Sequence, residues 1–297
     1  MIKKITFFIL VIFFTWISIV RTDGFSTKQI TRFDDGNKQL NIDFSGNMSE
    51  VKSILSQNFH YLTRGRECFI FESEDKKYVI KFFDATRYNS KIFFPSIPLP
   101  KFLDALRQKH YNRRITKLEF NLTSAKLAFE NLKDESALVY VNTSKTDIFQ
   151  NDLVITNKCK KSFSLDLNDI FFILQKKCDI FYESYEKSQD DKHKIELLYS
   201  FLEMVDTRTK KNIIDDDLGT KRRNWGLYND KAVTIDIGRW YFDEKLKTPK
   251  GYKKEMLKAT KILRRYLEKN DVEKLIIVNE LLDKYFNDFE KSYQANS

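Results

Sequence analysis

The sequence predicts an α+β fold of two lobes, in which an antiparallel sheet with one packed helix is followed by a mainly helical lobe. Apolar runs typical of β-strands are concentrated between Tyr61 and Gln175. One stretch among them, from Asn112 to Lys133, carries apolar residues three and four positions apart, as the buried face of a helix requires. After Lys176 the apolar pattern is mainly helical. The 297 residues, of which 42% are hydrophobic, are enough to build two such lobes.

The N-terminal segment, residues 1–22, is predicted to be a hydrophobic anchor or a signal segment. Sixteen uncharged and mostly apolar residues run from Ile5 to Val20, between Lys3-Lys4 and Arg21. The run is long for the apolar part of a signal peptide and short for a spanning helix, and no small-x-small cleavage pattern follows it. We therefore expect a protein that is membrane-anchored through this segment, or secreted. Basic residues on both flanks leave the orientation open.

The rest of the chain divides into a linker at residues 23–50, a first lobe at 51–176 and a second lobe at 177–297. In the first lobe, the apolar runs Tyr61–Phe71 and Tyr78–Phe83 flank a polar turn, which predicts antiparallel strands. Further strands of the same sheet are predicted at residues 137–142, 152–157, 162–167 and 170–175.

Alternation along Tyr78–Phe83 assigns its side chains to two faces. Val79 and Lys81 share one face of the strand, whereas Ile80 and Phe82 point the other way. Lys81 is therefore expected on the face opposite to these apolar side chains.

The predicted helix of the first lobe also carries acidic residues. Glu119 flanks the apolar stripe, and Glu130 lies close to Lys126 and Lys133. Either glutamate could serve as the partner of a buried lysine, or simply lie on the helix surface. The stripe itself consists of Ile115, Leu118, Leu122, Ala125, Phe129 and Leu132.

The second lobe contains a pattern of acidic and amide side chains. A predicted helix from Asp191 to Lys210 leads to Asp217, and Asn224 follows in a loop. A turn at Asn229-Asp230 then predicts a hairpin that could bring Asn224 close to Asp236. Carboxylate and amide oxygens are the ligands that Mg²⁺ prefers, and a free carboxylate can accept a hydroxyl proton.

At this point the sequence resembles the protein-kinase-like superfamily. The segment Ile213–Leu218 resembles the kinase catalytic loop, with Asp217 at the position of the catalytic aspartate. Asn224 matches the metal-binding asparagine of that loop, and Asp236-Ile237-Gly238 resembles the Asp-Phe-Gly motif. The resemblance implies that Asn224 and Asp236 bind Mg²⁺ and that the cofactors are ATP and Mg²⁺.

The order of the upstream elements extends this resemblance. The run Tyr61–Phe71, which contains Gly65, is similar to the kinase phosphate loop, and Val79-Ile80-Lys81 is similar to the following strand with its lysine. The resemblance implies that Val79 lies beneath the adenine, that Lys81 points toward the phosphates, and that Glu119 pairs with Lys81. Glu130 is the alternative partner.

Two departures from the family pattern keep other functions open. Asn224 follows Asp217 by seven positions where the family motif has five, and Gly65 is the one glycine left of the usual three. The first hypothesis is a divergent phosphotransferase, similar to small-molecule kinases because no Ala-Pro-Glu motif follows Gly238. The second is a pseudokinase that binds nucleotide or acts as a scaffold. The third is a membrane-anchored interaction protein that binds no nucleotide.

The composition limits the classes of partner and of site that the chain can be expected to have. The net charge is +10, and Lys221-Arg222-Arg223 beside Asn224 could attract an anionic substrate or a membrane. No recognised nucleic-acid-binding module accompanies the charge, which argues against nucleic-acid binding. The three histidines are far apart, which argues against a histidine-based site, and the three cysteines lack CxxC spacing. The phosphate acceptor cannot be named from the sequence.

Overall fold

The chain forms two compact units, of which the computed structural model describes Val11, Phe13, Ile17 and residues 20–31, 46–88, 100–217 and 222–295. The first unit consists of residues 1–119 and 139–175, and the second of residues 120–138 and 176–297. A sheet dominates the first unit and helices dominate the second. The predicted α+β class is therefore confirmed.

Seven strands form the sheet in the described part of the first unit, in the order β4-β7-β3-β2-β1-β5-β6. Their bounds are β1 Phe59–Arg64, β2 Cys68–Ser73, β3 Tyr78–Phe83, β4 Leu138–Asn142, β5 Leu153–Thr156, β6 Ser162–Leu165 and β7 Phe172–Lys176. Strands β1, β2 and β3 pair antiparallel, as do β5 and β6, but β5 runs parallel to β1. The sheet is thus not wholly antiparallel as predicted, because the long connection between β1 and β5 permits a parallel entry.

The helices are α1 Lys28–Thr31, α2 Met48–Leu55, α3 Lys101–Asn131, α4 Phe181–Lys187, α5 Asp191–Lys210, α6 Pro249–Ala259, α7 Lys261–Asn270 and α8 Val272–Ala295. The predicted helix from Asn112 is the second part of α3, which begins at Lys101 and follows directly after Pro100. Its predicted stripe is buried from Leu118 to Leu132. Side-chain caps begin several of the others: Asn47 accepts from two backbone amides of α2, and Asp190 caps α5.

Ile80 and Phe82 point into the core of the first unit, where they pack with Phe69 and Phe71 from β2. The faces predicted for β3 are therefore correct, since Lys81 lies outside this core and is half-buried. Aromatic rings make up much of this core, and several meet edge to face, as Phe71 does with Phe82 at 5.8 Å.

Part of the predicted linker is a packed element of the first unit. Phe25 is 6% exposed and packs edge to face on Phe69 and Phe71, at 5.1 and 5.2 Å. Ile30 in α1 is completely buried. Residues 23–31 therefore belong to the packed first unit and not to a linker, because burial of these two apolar side chains fixes the chain against the sheet. The part of the linker from 32 to 45 lies outside the described residues.

The second unit also takes the end of α3 and the residues that follow it, which the sequence assigned to the first lobe. The Thr234 amide donates to the Glu135 carbonyl at 2.8 Å, and the Lys211 side chain donates to the Asn131 carbonyl. These contacts place residues 120–138 with the helical unit.

Helices α4 to α8 form the core of the second unit, together with a small sheet in the order β11-β10-β8. Strands β10 and β11 are the predicted hairpin, and Asn229 and Asp230 both have positive φ, 50° and 59°. Two such residues are the signature of a type I′ turn. The remaining strands are β8 Asp179–Ile180, β9 Ile213–Asp215, β10 Trp225–Tyr228, β11 Lys231–Thr234 and β12 Trp240–Phe242.

Most of the predicted N-terminal hydrophobic segment lies outside the described residues. Val11, Phe13, Ile17 and Val20 are helical, and three of them, Val11, Phe13 and Val20, are about half exposed. Within the described part of the chain, no helix is both long enough and apolar enough to cross a membrane.

Candidate functional site

The β10–β11 hairpin places Asn224 beside the residues that lead to Asp236. Trp225, the first residue of β10, pairs with Thr234, the last residue of β11. One step beyond this pair, the Ile235 amide donates to the Asn224 carbonyl at 2.7 Å. Asn224 is buried and Asp236 is exposed. The prediction that a hairpin brings the two segments together is thus confirmed for the backbone.

Helix α3 holds the Asp236–Gly238 segment through one buried hydroxyl. Ser124 is completely buried, and its Oγ donates to the Ile237 carbonyl. The same Oγ accepts from the Trp240 amide at 2.6 Å. One side chain therefore satisfies a donor and an acceptor of the segment, which fixes its path on both sides of Gly238.

Asn121 of α3 lies close to Asp236. The Oδ1 atoms of Asp236 and Asn121 lie 3.5 and 3.7 Å from the position that a Cβ on Gly238 would occupy. Gly238 thus leaves room between two oxygen-bearing side chains. Carboxylate and amide oxygens are of the kind that Mg²⁺ prefers, so the oxygen chemistry of Asp236 and Asn121 suits such an ion. In the described residues, no three acidic, histidine or cysteine side chains are placed to bind a metal ion.

The three consecutive aspartates after α5 have different surroundings. Asp215, the last residue of β9, is buried, and its Oδ2 lies 3.4 Å from Arg208 Nη1. The other terminal nitrogen of Arg208 lies 3.0 Å from Glu255 Oε1 of α6. All three side chains are only 4% exposed. One guanidinium therefore bridges two buried carboxylates, which gives each of these charges a partner.

The electrostatics of this network are dominated by burial. Burial raises the pKa of the Asp215 carboxyl above its ordinary 3.8, although the Arg208 guanidinium opposes the shift. The Asp236 carboxylate lies close enough to raise the Asp215 pKa further. Burial likewise raises the pKa of Glu255, against the effects of Arg208 and Lys258.

Asp217 differs from its two neighbours. The Asp217 amide donates to Asp215 Oδ1 at 2.9 Å, so the buried aspartate fixes the backbone of the half-exposed one. Asp216 is exposed and lies 3.6 Å from Lys258 Nζ. In the described part of the chain, Asp217 is the one carboxylate of the three without an ion pair. It is therefore the one most available to accept a proton from a bound group.

The predicted phosphate loop in the first unit is a short turn between β1 and β2. The Gly65 amide donates to the Cys68 carbonyl at 2.9 Å. A Cβ on Gly65 would lie 3.5 Å from that carbonyl oxygen, which is an ordinary contact, and no positive φ requires glycine there. The turn thus lacks the conformational demand that makes glycine necessary in a close phosphate cradle.

The predicted ion pair of Lys81 with Glu119 is not formed. Among the described residues, Glu119 pairs with no cation, and the alternative partner Glu130 pairs with Lys126 one helical turn away at 3.6 Å. Lys117 of α3 instead forms an ion pair with Glu67 in the β1–β2 turn. In this ion pair the helix supplies the cation and the turn supplies the carboxylate, whereas the predicted pair has the carboxylate on the helix and the cation on the sheet.

The predicted site residues belong to separate units. Gly65, Val79, Lys81 and Glu119 lie in the first unit, whereas Asp217, Asn224 and Asp236 lie in the second. Their convergence on one site stays a prediction. The residues that lengthen the interval between Asp217 and Asn224, at 218–221, lie outside the described part of the chain.

Arg222, in the basic run beside Asn224, has local partners in the second unit. Its guanidinium lies over the rings of Tyr266 and Tyr182, at 4.7 and 5.3 Å, and 3.9 Å from a Glu186 carboxylate oxygen. Arg223 is exposed. The Arg222 guanidinium thus makes cation–π contacts with two tyrosine rings of the second unit.

The sequence analysis did not identify Ser124, Arg208 or Glu255. Arg208 follows Val205 by three positions and so continues the buried stripe of α5, and Glu255 follows the buried Tyr252 by three positions in α6. A charged residue on a buried stripe needs a charged partner. The charged side chains at these two buried positions were therefore the feature of the sequence that could have predicted the ion pair. Ser124 lies beside Ala125 in α3, where small residues permit close approach.

Comparison with known proteins identifies no family. No family model matches the chain, and no curated protein matches it. Among solved structures, the chain is similar to two structures of the bifunctional kinase-methyltransferase WbdD and to the complex of Rv3197 with erythromycin from Mycobacterium tuberculosis. The sequence identities are 13%, 13% and 11%, and the TM-scores are 0.37, 0.34 and 0.34.

These alignments cover 74%, 78% and 76% of this chain but 42%, 45% and 55% of the three matched chains. The chain therefore spans about half the length of the structures it matches. Similarity with TM-scores this low carries no conclusion about activity or substrate.

Proposed function

We propose that this chain is a divergent kinase-like phosphotransferase that uses ATP and Mg²⁺. The observation that carries the proposal is the second-unit arrangement in which Asn224 and the Asp236 segment meet at the open end of a hairpin, with Asp217 as the available carboxylate. Oxygen ligands for Mg²⁺ and a proton acceptor are the protein groups that phosphoryl transfer needs.

Each residue has a separate role in this proposal. Asp236 and Asn224 would bind Mg²⁺ through their oxygens, which neutralises charge on the phosphates when the metal is bound. Asp217 would accept the proton of the acceptor hydroxyl, held in place by the bond from its amide to Asp215. Val79, Lys81 and the Gly65 turn keep the nucleotide-binding roles that the resemblance assigns them.

Nucleotide binding is tested first by thermal unfolding with ATP, with and without Mg²⁺. We expect a Mg²⁺-dependent stabilisation that Asp236→Ala abolishes, because that variant removes the one carboxylate among the proposed metal ligands. Asp283→Ala, which removes an exposed carboxylate of α8, serves as the matched control and should respond like the wild type. Equal stabilisation in the wild type and Asp236→Ala would contradict the assignment.

Turnover is tested by ATP hydrolysis in Asp217→Asn and Asp216→Asn. The first variant should keep nucleotide affinity and lose turnover by on the order of a hundredfold, as expected for loss of a positioned proton acceptor. The second changes the neighbouring exposed carboxylate and should stay within about threefold of the wild type. Equal losses in both variants would remove the special role of Asp217.

A pseudokinase is the second candidate, and one observation favours it. Glu119 lacks a cationic partner in the described chain, and Lys117 pairs with Glu67 in its place. Retained nucleotide binding without turnover in the wild type would decide for this function. Absence of any nucleotide-dependent stabilisation would leave the interaction protein.

Attachment to a membrane through residues 1–22 is part of the proposal. Its support is the uncharged run Ile5–Val20 and the exposure of Val11, Phe13 and Val20. Extraction of the full chain from vesicles by carbonate or high salt, as for a peripheral protein, would contradict it.

A further inference from the structure

The end of the hydrophobic segment rests on a basic turn of the first unit. The turn between β5 and β6 carries Lys158, Lys160 and Lys161, all exposed. The Cys159 Sγ in this turn lies 3.5 Å from the Arg21 carbonyl oxygen, and Lys158 Nζ lies 2.9 Å from Asp23 Oδ1. The chain that leaves the apolar run at Val20 therefore contacts this turn, at Cys159 and Lys158, within its next three residues.

The connection is rigid. The Arg64 guanidinium donates to the Asp23 carbonyl at 2.9 Å, and the Tyr61 hydroxyl donates to the Asp23 carboxylate at 2.9 Å. Gly24 has φ 71°, and a Cβ there would lie 2.9 Å from Arg64 Nη1, so the turn requires glycine. Burial of Phe25 completes the attachment. Asp23 and Phe25 thus attach the chain after Val20 to the sheet through side-chain contacts.

Charge is distributed unequally along β5 and β6. The three lysines lie at one end of these antiparallel strands, whereas Asp152 and Asp166 adjoin the other end, and Asp169 beyond them is paired with Lys145 at 3.6 Å. An anionic surface would attract the first end and repel the second. The apolar segment emerges at the basic end.

We propose that the β5–β6 turn docks on anionic phospholipid headgroups and holds the first unit in a fixed orientation at the membrane. Phospholipid is the partner that fits, because the lysines adjoin a run of apolar residues, and basic residues beside a membrane segment are attracted to anionic lipid. The inference rests on the proposed membrane attachment and goes beyond the proposed phosphoryl transfer.

The full chain is tested for binding to vesicles of phosphatidylcholine, alone or mixed with phosphatidylserine. The variant pair is Lys160→Gln with Lys161→Gln, and the matched control is Lys76→Gln with Lys77→Gln. Lys76 and Lys160 have φ 58° and 62°, and the Lys77 and Lys161 amides each donate at 3.0 Å to an Asp75 or Asn157 side chain. The control turn joins β2 to β3 and lies at the opposite end of the sheet.

The phosphatidylserine vesicles should bind the wild type more tightly than neutral vesicles, and Lys160→Gln with Lys161→Gln should lower this preference about tenfold or more. The control pair should change it less than twofold. Binding to neutral vesicles, which reports the apolar segment, should be equal in all three proteins. Equal losses in both lysine pairs, or no loss in either, would overturn the docking surface. If the wild type does not bind neutral vesicles, that result would contradict the membrane anchor and not the docking surface.

A second measurement tests the fixed orientation. Cys159 is exposed and can carry a spin label in a Cys68→Ser, Cys178→Ser background, whereas Lys76→Cys in a background that also lacks Cys159 labels the opposite end. In vesicles, a headgroup-bound Ni²⁺ chelate should broaden the label at Cys159 much more than the label at Lys76→Cys. Equal broadening at both positions would overturn the orientation. A DNA oligonucleotide that shows the same dependence on Lys160 and Lys161 would overturn the choice of lipid.

Discussion

Buried side chains hold the backbone at the predicted metal and proton-transfer residues of the second unit. The predicted nucleotide-binding turn of the first unit is held through Glu67, whose carbonyl accepts from the Asp84 amide at 2.8 Å and whose carboxylate accepts from the Tyr88 hydroxyl at 2.9 Å. Ser124 and Asp215 make hydrogen bonds to the Ile237–Trp240 segment and to Asp217, and both side chains are buried. The Gly65 turn contains a single glycine with no conformational need for it.

The difference between the two units bears on the roles that the resemblance to kinases implies for their residues. Buried polar contacts are costly to form unless every group is paired, so a paired cluster fixes one geometry. In the second unit, Arg208 pairs with both buried carboxylates, Asp215 and Glu255, while its Nε atom has no partner in the described residues. The first unit departs, at the Gly65 turn and at Glu119, from the pattern of the family that the sequence resembles.

The largest effect is expected for Arg208→Met. The variant leaves the Asp215 and Glu255 carboxylates buried without their cation, which should lower the free energy of unfolding by about 3–5 kcal/mol. Urea unfolding followed by tryptophan fluorescence measures this, because Trp225 and Trp240 are both buried in the second unit.

Lys210→Met, two residues further along α5, is the control for that variant. Lys210 pairs with Asp206 at 2.8 Å but is half exposed, so its loss should cost below about 1 kcal/mol. Adding Asp215→Asn and Glu255→Gln to Arg208→Met removes all three charges and should recover part of the loss. Similar costs for Arg208→Met and Lys210→Met would contradict the role of the network.

Ser124→Ala should have the second largest effect. It leaves the Trp240 amide and the Ile237 carbonyl without their shared partner, at a cost of about 1–3 kcal/mol. The same fluorescence measurement applies. Thr123→Ala changes the exposed neighbouring residue and should stay within about 0.5 kcal/mol of the wild type. A cost for Ser124→Ala no larger than this would show that the hydroxyl does not hold the segment.

The raised pKa of Glu255 predicts a dependence of stability on pH. A carboxyl with a raised pKa binds its proton more tightly in the folded state than in the unfolded state. Its contribution to stability therefore falls as the pH rises from the ordinary 4.5 to the folded pKa. Glu255→Gln removes this term, so its free energy of unfolding should improve relative to the wild type by at most about 1.4 kcal/mol per pH unit in that range.

The measurement is a series of unfolding curves between about pH 4.5 and pH 7 for both proteins. Glu244→Gln, at an exposed carboxylate paired with Lys247, serves as the control and should run parallel to the wild type. A free energy of unfolding of Glu255→Gln that falls relative to that of the wild type as the pH rises would have the wrong sign and contradict the raised pKa.

The smallest effect is expected for Gly65→Ala, which should change stability by less than about 0.5 kcal/mol because a Cβ fits there. Gly226→Ala is the comparison in the second unit. Its Cβ would lie 2.7 Å from Ile235 Cδ1 and 2.8 Å from Cys178 Cβ, which should cost about 1–3 kcal/mol. Thermal unfolding measures both. A cost for Gly65→Ala equal to that for Gly226→Ala would mean that the first-unit turn is as constrained as the hairpin.

Local elements of the site were predictable from the sequence, and long-range partners were not. The Asn229-Asp230 turn and the faces of β3 follow from backbone preferences and from alternation over a few residues, and both are confirmed. The pairing of Lys117 with Glu67 joins residues 50 positions apart. Lys117 and Glu119 are two positions apart on α3 and point in different directions. Which of the two reaches the sheet depends on the rotation of the helix about its axis.

The sequence by itself determined the α+β class, the β10–β11 hairpin and most strands of the first-unit sheet, because each depends on apolar periodicity and turn residues within one short segment. It did not divide the run Tyr61–Phe71 into β1 and β2, and it did not predict the short strands β8, β9 and β12. Only the tertiary structure decided that Asp217 is the one of three aspartates without an ion pair in the described chain, that Ser124 and Arg208 hold its surroundings, and that Phe25 docks part of the predicted linker. These outcomes depend on which distant groups share one buried volume, where each polar atom must find a partner that the linear sequence does not specify.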